Sequence, residues 1–221
     1  LAETETPMIL VLINTKPLVL PDCVHDCAAI IEAFNPGMKG GRALAEILFG
    51  LINPSGKLTI GIPYHVGQQP VYYNQIRGQH GDRYADLVQE PHYPFGWGMS
   101  FSRFCYSDLQ LRKRKLKPGD SLECSVVVSN TGSMEGREVV QLYIRDKVTS
   151  VTWADKEMKS YSKICIGKGK SKVVRFRVPV NDMTIVDSSG HRILEPGDFQ
   201  VLVGPSARES DLISADFEVS I

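Results

Sequence analysis

Between Ser121 and Val178 the chain is written in a period of two. The runs Ser121-Leu-Glu-Cys-Ser-Val-Val-Val-Ser, Glu138-Val-Val-Gln-Leu-Tyr-Ile-Arg and Ser171-Lys-Val-Val-Arg-Phe-Arg-Val alternate apolar with polar residues. Successive side chains of a strand point to opposite faces, so each run can bury one face and wet the other, which a helix could not do with the same order. Pro118-Gly119, Asn130-Thr131-Gly132, Gly167-Lys-Gly169, Ser189-Gly190 and Pro196-Gly197 separate the runs, with no helical stretch between them. Short strands parted by turns at such intervals specify a β-sandwich. Residues 105–221 are therefore expected to be all-β. The basic run Arg112-Lys-Arg-Lys115 reads as a solvated strand end.

The first 104 residues follow another logic. Met8-Ile-Leu-Val-Leu-Ile13 is a continuous apolar run, as in a strand covered on both faces in a parallel sheet, and Pro17-Leu-Val-Leu20 is a second short run. Asp22 stands as an N-cap before Cys23 to Phe34, where Val24, Cys27, Ala28, Ile31 and Phe34 fall at helical spacing until Asn35-Pro36-Gly37. Arg42 to Phe49 is a second predicted helix, with Ala43, Leu44, Ile47 and Leu48 on one side and Gly50 closing it. The turn Asn53-Pro54-Ser55-Gly56 leads to a predicted strand over Lys57 to Ile62. The expected class is α/β, part of an α/β sandwich with a mainly parallel sheet, followed by the all-β sandwich.

Charge excludes some functions. Twenty-five basic and 25 acidic residues balance to +0, which leaves no electrostatic footprint for nucleic acid or an anionic membrane. No apolar run approaches the roughly 18 residues of a membrane span, so a soluble protein is expected. The start, Leu-Ala-Glu-Thr-Glu-Thr-Pro, resembles neither a signal peptide nor a native beginning, and suggests a piece of something longer. Five cysteines, Cys23, Cys27, Cys105, Cys124 and Cys165, show no disulfide spacing. The odd count points to a reducing, cytoplasmic setting.

Residues 63–102 carry no sustained period and are rich in Gly, Pro, Tyr, His and Gln. So long a loop in a compact domain is usually functional, and this one gathers Tyr72, Tyr73, Arg77, His80, Arg83, Tyr84, Asp86, His92 and Trp97. These residue types contact ligands, and they equally pack a wrapping segment onto a neighbouring domain. Elsewhere chemistry is sparse. On a helix Cys23 and Cys27 would share a face while His25 points away, and no second ligand pair follows at zinc spacing, so no metal is expected. Gly37-Met-Lys-Gly40-Gly41 matches neither phosphate-binding fingerprint, and there is no Gly-x-Ser-x-Gly elbow. No cofactor and no self-contained catalytic centre are expected.

Several segments in order resemble the C-terminal part of glycoside hydrolase family 3, the family of many β-glucosidases and β-xylosidases. They are Val11-Leu-Ile-Asn-Thr-Lys-Pro-Leu, Glu32-Ala-Phe-Asn-Pro-Gly-Met-Lys-Gly-Gly, Ala45-Glu-Ile-Leu-Phe-Gly, Asn53-Pro-Ser-Gly-Lys-Leu, Val66-Gly-Gln-Gln-Pro-Val-Tyr-Tyr and Tyr93-Pro-Phe-Gly-Trp-Gly-Met-Ser-Phe. Val128-Ser-Asn-Thr-Gly, Glu138-Val-Val-Gln-Leu-Tyr-Ile-Arg-Asp, Lys156-Glu-Met-Lys-Ser-Tyr and Glu195-Pro-Gly-Asp-Phe are similar to the fibronectin type III-like domain, an immunoglobulin-like sandwich, that closes many members. Asn35, Lys39, Trp97 and Trp153-Ala154 depart from the family pattern, which bears on local packing and loop shape and not on membership.

The resemblance implies residues 1–104 as the later portion of an α/β sandwich domain and 105–221 as the fibronectin type III-like domain. It implies a retaining exo-β-glycosidase acting on terminal β-glycosidic bonds, with the nucleophile on an N-terminal barrel and the acid/base Glu in an earlier segment. No residue of this sequence matches either motif, so no catalytic position is carried over and the chain alone is expected to be inactive. Arg83-Tyr84-Ala-Asp86 is similar to an Arg-Tyr-x-x-Asp stretch near the substrate entrance of some relatives, with the Asp one residue closer. Arg83, Tyr84 and Asp86 are thereby the substrate-binding candidates, since a guanidinium suits sugar hydroxyls and a phenol suits an apolar sugar face. The implied partners are a β-linked glycoside and the barrel, with a homodimer left open. The competing reading is a non-catalytic carbohydrate-binding or structural module.

Overall fold

The computed structural model describes residues 2–76 and 86–220. Among the described residues its first part holds two parallel strands, β1 (Met8–Leu12) and β2 (Cys27–Glu32), and one α-helix, α1 (Gly40–Leu48). In register, Ile9 faces Ala29 and Leu12 faces Glu32. The Glu32 carboxylate then accepts from Asn14 Nδ2 at 3.1 Å and from the Phe34 amide at 2.9 Å, tying together the exits of both strands.

Helix α1 stands where the spacing of Ala43, Leu44, Ile47 and Leu48 predicts it. The helix expected over Cys23 to Phe34 does not form. Asp22–Asp26 is a single 3-10 turn without a side-chain cap, and the chain then extends as β2. Cys27-Ala-Ala-Ile-Ile satisfies both a helical stripe and a strand covered on two faces, and pairing with β1 decides between them. Leu18 to Leu20 join no strand. The strand expected over Lys57 to Ile62 does not form as a continuous element, the chain bending at Thr59 and Ile60. This stretch meets the returning chain at two places, Leu58 with Gly96 and Trp97, and Ile62 with Tyr93, through hydrogen bonds of 2.7–3.2 Å.

The second part is the β-sandwich. One sheet has the order β4 (Lys115–Leu116), β12 (Ile213–Val219), β11 (Gly197–Gly204), β6 (Gly136–Asp146), β7 (Glu157–Ile166). The other has the order β3 (Phe104–Leu111), β5 (Ser121–Asn130), β8 (Ser171–Pro179), and a small β9 (Ile185–Val186) and β10 (Arg192–Ile193) ribbon lies apart. Leu122, Val126 and Val128 of β5 meet Val140 and Leu142 of β6, Phe176 of β8, and the stacked cross-strand pair Phe199 and Phe217. Each such side chain contributes roughly 2 kcal/mol by leaving water. Asn130, fully buried at the Asn-Thr-Gly turn, donates to the Met134 and Ile166 carbonyls and accepts from the Ser102 hydroxyl and the Gly132 amide.

Strand β6 departs from simple alternation: Gln141 and Tyr143 point away from the sandwich core, yet are 2% and 0% exposed. The first part of the chain covers them.

Candidate functional site

Two arms of the long loop, residues 63–76 and 86–102, lie across the outer face of β6 and β11. Tyr73 stacks on Phe95 at 4.4 Å and meets Tyr143 edge-on at 5.8 Å, over Leu202 and Ala207. Polar groups fix the register. The Gln141 carboxamide donates to the Gly96 and Pro205 carbonyls and accepts from the Tyr143 hydroxyl, and the Ala207 amide donates to the Phe95 carbonyl at 2.9 Å.

A second group sits where the chain crosses into the sandwich. Lys57 Nζ lies 3.1 Å from Glu138 Oε1, donates to the Gly98 carbonyl at 2.9 Å, and shares Glu138 with the Tyr106 hydroxyl at 2.9 Å. Burial pushes the Glu138 carboxyl above its ordinary range, with Lys57 and Tyr106 acting against it. Burial, and then the charge of Glu138, raise the Tyr106 phenol strongly. An open cleft of about 780 Å³ runs beside this group, lined by Trp97, Phe101, Phe104 and Tyr106 among others. Its buried polar groups already satisfy one another, as a structural junction requires.

On the other flank His92 is held in a column between Tyr64 at 4.5 Å and Tyr93 at 4.4 Å. Burial, with His25 and Arg208 nearby, lowers its pKa, which favours the neutral ring. Arg208 lies 4.6 Å over the Trp97 ring and donates to Glu90 at 3.1 Å and to the His92 carbonyl at 3.1 Å.

Of the loop residues named from sequence, Tyr73, His92 and Trp97 thus serve the contact between the two parts. Tyr72 is 62% exposed and Asp86 is exposed on the returning arm. Arg77, His80, Arg83 and Tyr84 lie outside the described residues. Gln141 and Tyr143 are the residues that sequence reasoning missed, and the uncharged stretch Val139 to Ile144 was the available signal for a strand covered on both faces. Among the described residues no group of three His, Cys, Asp or Glu is placed to hold a metal, and no helix is long and apolar enough to cross a membrane.

The model for the glycosyl hydrolase family 3 C-terminal domain matches residues 1–101, and that for the fibronectin type III-like domain matches residues 138–207. A periplasmic β-glucosidase of Salmonella typhimurium is 36% identical over 92% of this chain, which spans 28% of that protein. A β-xylosidase of Formosa agariphila is 35% identical over 98% of this chain, which spans 30% of it. A solved β-glucosidase involved in saponin metabolism from intestinal bacteria superposes with a TM-score of 0.94 at 44% identity, covering 99% of this chain and 31% of its own. The chain thus spans about 30% of the length of the relatives it matches. Two domain models in family order, one fold across the whole chain and relatives that are β-glucosidases and β-xylosidases place it in glycoside hydrolase family 3, as the C-terminal part of that family's architecture.

Proposed function

We propose that this chain works as the C-terminal part of a retaining exo-β-glycosidase that removes terminal non-reducing residues from a β-linked glycoside. The single observation that carries the reading is coverage: the chain matches only about 30% of β-glucosidases and β-xylosidases, yet matches that part over nearly its full length. Retaining hydrolysis needs two carboxyl groups about 5 Å apart, one attacking and one protonating the leaving oxygen. Among the described residues the one buried carboxylate, Glu138, is held by Lys57 and Tyr106. The nucleophile and the acid/base are therefore assigned to an N-terminal barrel and an earlier segment, and Arg83, Tyr84 and Asp86 to sugar contacts at the substrate entrance. The division at 104/105 into α/β and fibronectin type III-like domains belongs to the same proposal. Five free cysteines support a reducing compartment, against which stands the periplasmic name of the Salmonella relative.

The test is turnover. The 221-residue chain should leave aryl β-glucosides and β-xylosides untouched, and the same chain continuous with a family 3 barrel should cleave them. Hydrolysis by the chain alone above a heat-killed control would overturn the assignment. An inactive full-length protein that still binds β-glycans would favour a binding module instead.

A further inference from the structure

The sandwich grips the two arms of the long loop through two separate segments, and the Arg145 guanidinium, with Lys156 beside it, joins those segments. The outgoing arm is held by residues 154–158. The Asp155 amide donates to the Gln75 carbonyl at 2.8 Å, Ile76 and Ala154 form an antiparallel bridge, and the Met158 amide donates to the Tyr73 hydroxyl at 3.3 Å. The returning arm is held by residues 207–208, through Ala207 to Phe95 and Arg208 to Glu90 and His92. Gln68 and Gln89 also tie the arms to each other, Gln68 donating to the Val88 carbonyl at 2.7 Å and Gln89 to Gln75 Oε1 at 2.7 Å.

Arg145, on β6, reaches both gripping segments. Its Nη2 donates to Asp155 Oδ2 at 2.7 Å and its Nε to the Asp155 carbonyl at 3.4 Å. Its Nη1 and Nη2 also donate to the two Glu209 oxygens at 2.9 and 2.8 Å, next in sequence to Arg208, and Nη1 to Gln200 Oε1 at 3.0 Å. Lys156 Nζ adds contacts of 3.3 Å to both Asp155 and Glu209. A planar fork with five donors serves two carboxylates, a carbonyl and a carboxamide at once, whereas the Lys156 ammonium, with three donors, reaches the two carboxylates only.

We propose that Arg145 is a positioning residue for the substrate loop, fixing the spacing of its arms from within the fibronectin type III-like domain and so acting on the sugar site without touching it. This rests on the reading that residues of that loop contact the sugar. A displacement of about 1 Å at a contact residue can cost on the order of 100-fold in rate, so loosening the arms should be visible in kinetics.

The decisive experiment has two arms. In the whole 221-residue chain, Arg145→Met should raise hydrogen exchange at the Asp155, Met158 and Ala207 amides at least tenfold while Val126 in β5 stays protected, with Arg145→Lys falling between. Unchanged protection at those three amides overturns the proposal whatever the kinetics show. In the full-length enzyme, Arg145→Met should lower kcat/KM for a β-linked disaccharide about tenfold and for an aryl β-glycoside no more than about twofold. Val126→Ala, a core truncation away from the loop, is the control and should leave the ratio of the two substrates unchanged. An Arg145→Met ratio that stays fixed, or that moves only as far as the control's, overturns the positioning role. If Arg83→Ala also leaves the ratio unchanged, the sugar-contact reading fails separately, and the exchange arm still decides whether Arg145 couples the two arms.

Discussion

The Gln141 carboxamide occupies the space that a side chain on Gly96 would need. Gly96 has φ of +78°, and a Cβ built there falls onto the amide group of Gln141, which also donates to the Gly96 carbonyl at 3.2 Å. Glycine is required at this point twice over, for its backbone conformation and for the close approach.

Gly96→Ala is accordingly expected to destabilise the chain by about 3 kcal/mol, combining a left-handed alanine with displacement of a buried hydrogen-bonded amide. Thermal unfolding followed by tyrosine and tryptophan fluorescence checks it. A loss below about 1 kcal/mol would mean that the loop is not pressed against β6.

Lys57 and Glu138 come from opposite sides of the crossing, and their side chains are only 12% and 4% exposed. Removing one partner of a buried pair strands the other, at a cost of about 3–5 kcal/mol, whereas removing both costs less than the sum. Lys57→Met and Glu138→Gln should each be strongly destabilising, and the double variant clearly less so than additivity demands. Glu138→Gln keeps an acceptor for Tyr106, which isolates the charge pair. Additive losses in denaturant unfolding would show that the two groups do not depend on each other.

What was legible in the sequence follows from which interactions are local. The sandwich strands could be read because Leu122, Val126 and Val128, or Val174 and Phe176, alternate towards a single core. Helix α1 could be read because its apolar stripe has one period. Strand β2 could not, since Cys27 to Ile31 fit two periods and only β1, fifteen residues upstream, separates them. The loop was visible as an aromatic region, but not the division of labour within it. Tyr73 belongs to the interface because Phe95 and Tyr143 meet it there, contacts to residues 22 and 70 positions away that no local pattern encodes. For Asp86 the exposure agrees with a ligand contact without selecting one.

Protons should report on the Arg145 cluster. Hydrogen bonds from Arg145, and then the charges of Lys156 and Arg145, hold the Glu209 carboxyl below the usual carboxylate range against the opposing effect of burial. A group whose folded pKa is depressed stabilises fully above its unfolded pKa, and that stabilisation fades as pH falls through the folded value. Glu209→Gln should thus be less stable than the parent by about 1 kcal/mol at neutral pH, a modest figure because the side chain is 59% exposed. The difference should close below about pH 4. Melting temperatures of both proteins between pH 7 and pH 3 check this, and a gap that widens towards acid would reverse the sign and refute it.

The surface before Asn53 yields the last prediction. Phe49 is 82% exposed, Leu51 76%, Ile13 65% and Ile9 50%, and in α1 no apolar side chain is fully buried. Among the described residues strands β1 and β2 form a sheet of two, and so small a sheet is not stable by itself in water. Apolar area of this extent normally lies against another surface. Within the proposed enzyme, that surface is the earlier part of the α/β domain. The same substitution should then have opposite consequences in two settings. In the 221-residue chain, Phe49→Ser with Leu51→Ser should reduce self-association and hydrophobic-dye binding while changing stability by no more than about 0.5 kcal/mol, as at an ordinary surface. In the full-length enzyme it should destabilise by about 2 kcal/mol for each side chain removed from a covered site. Sedimentation and dye titration read the first, thermal unfolding the second. Equal, small effects in both proteins would mean that nothing covers this face and that the exposed residues are simply tolerated.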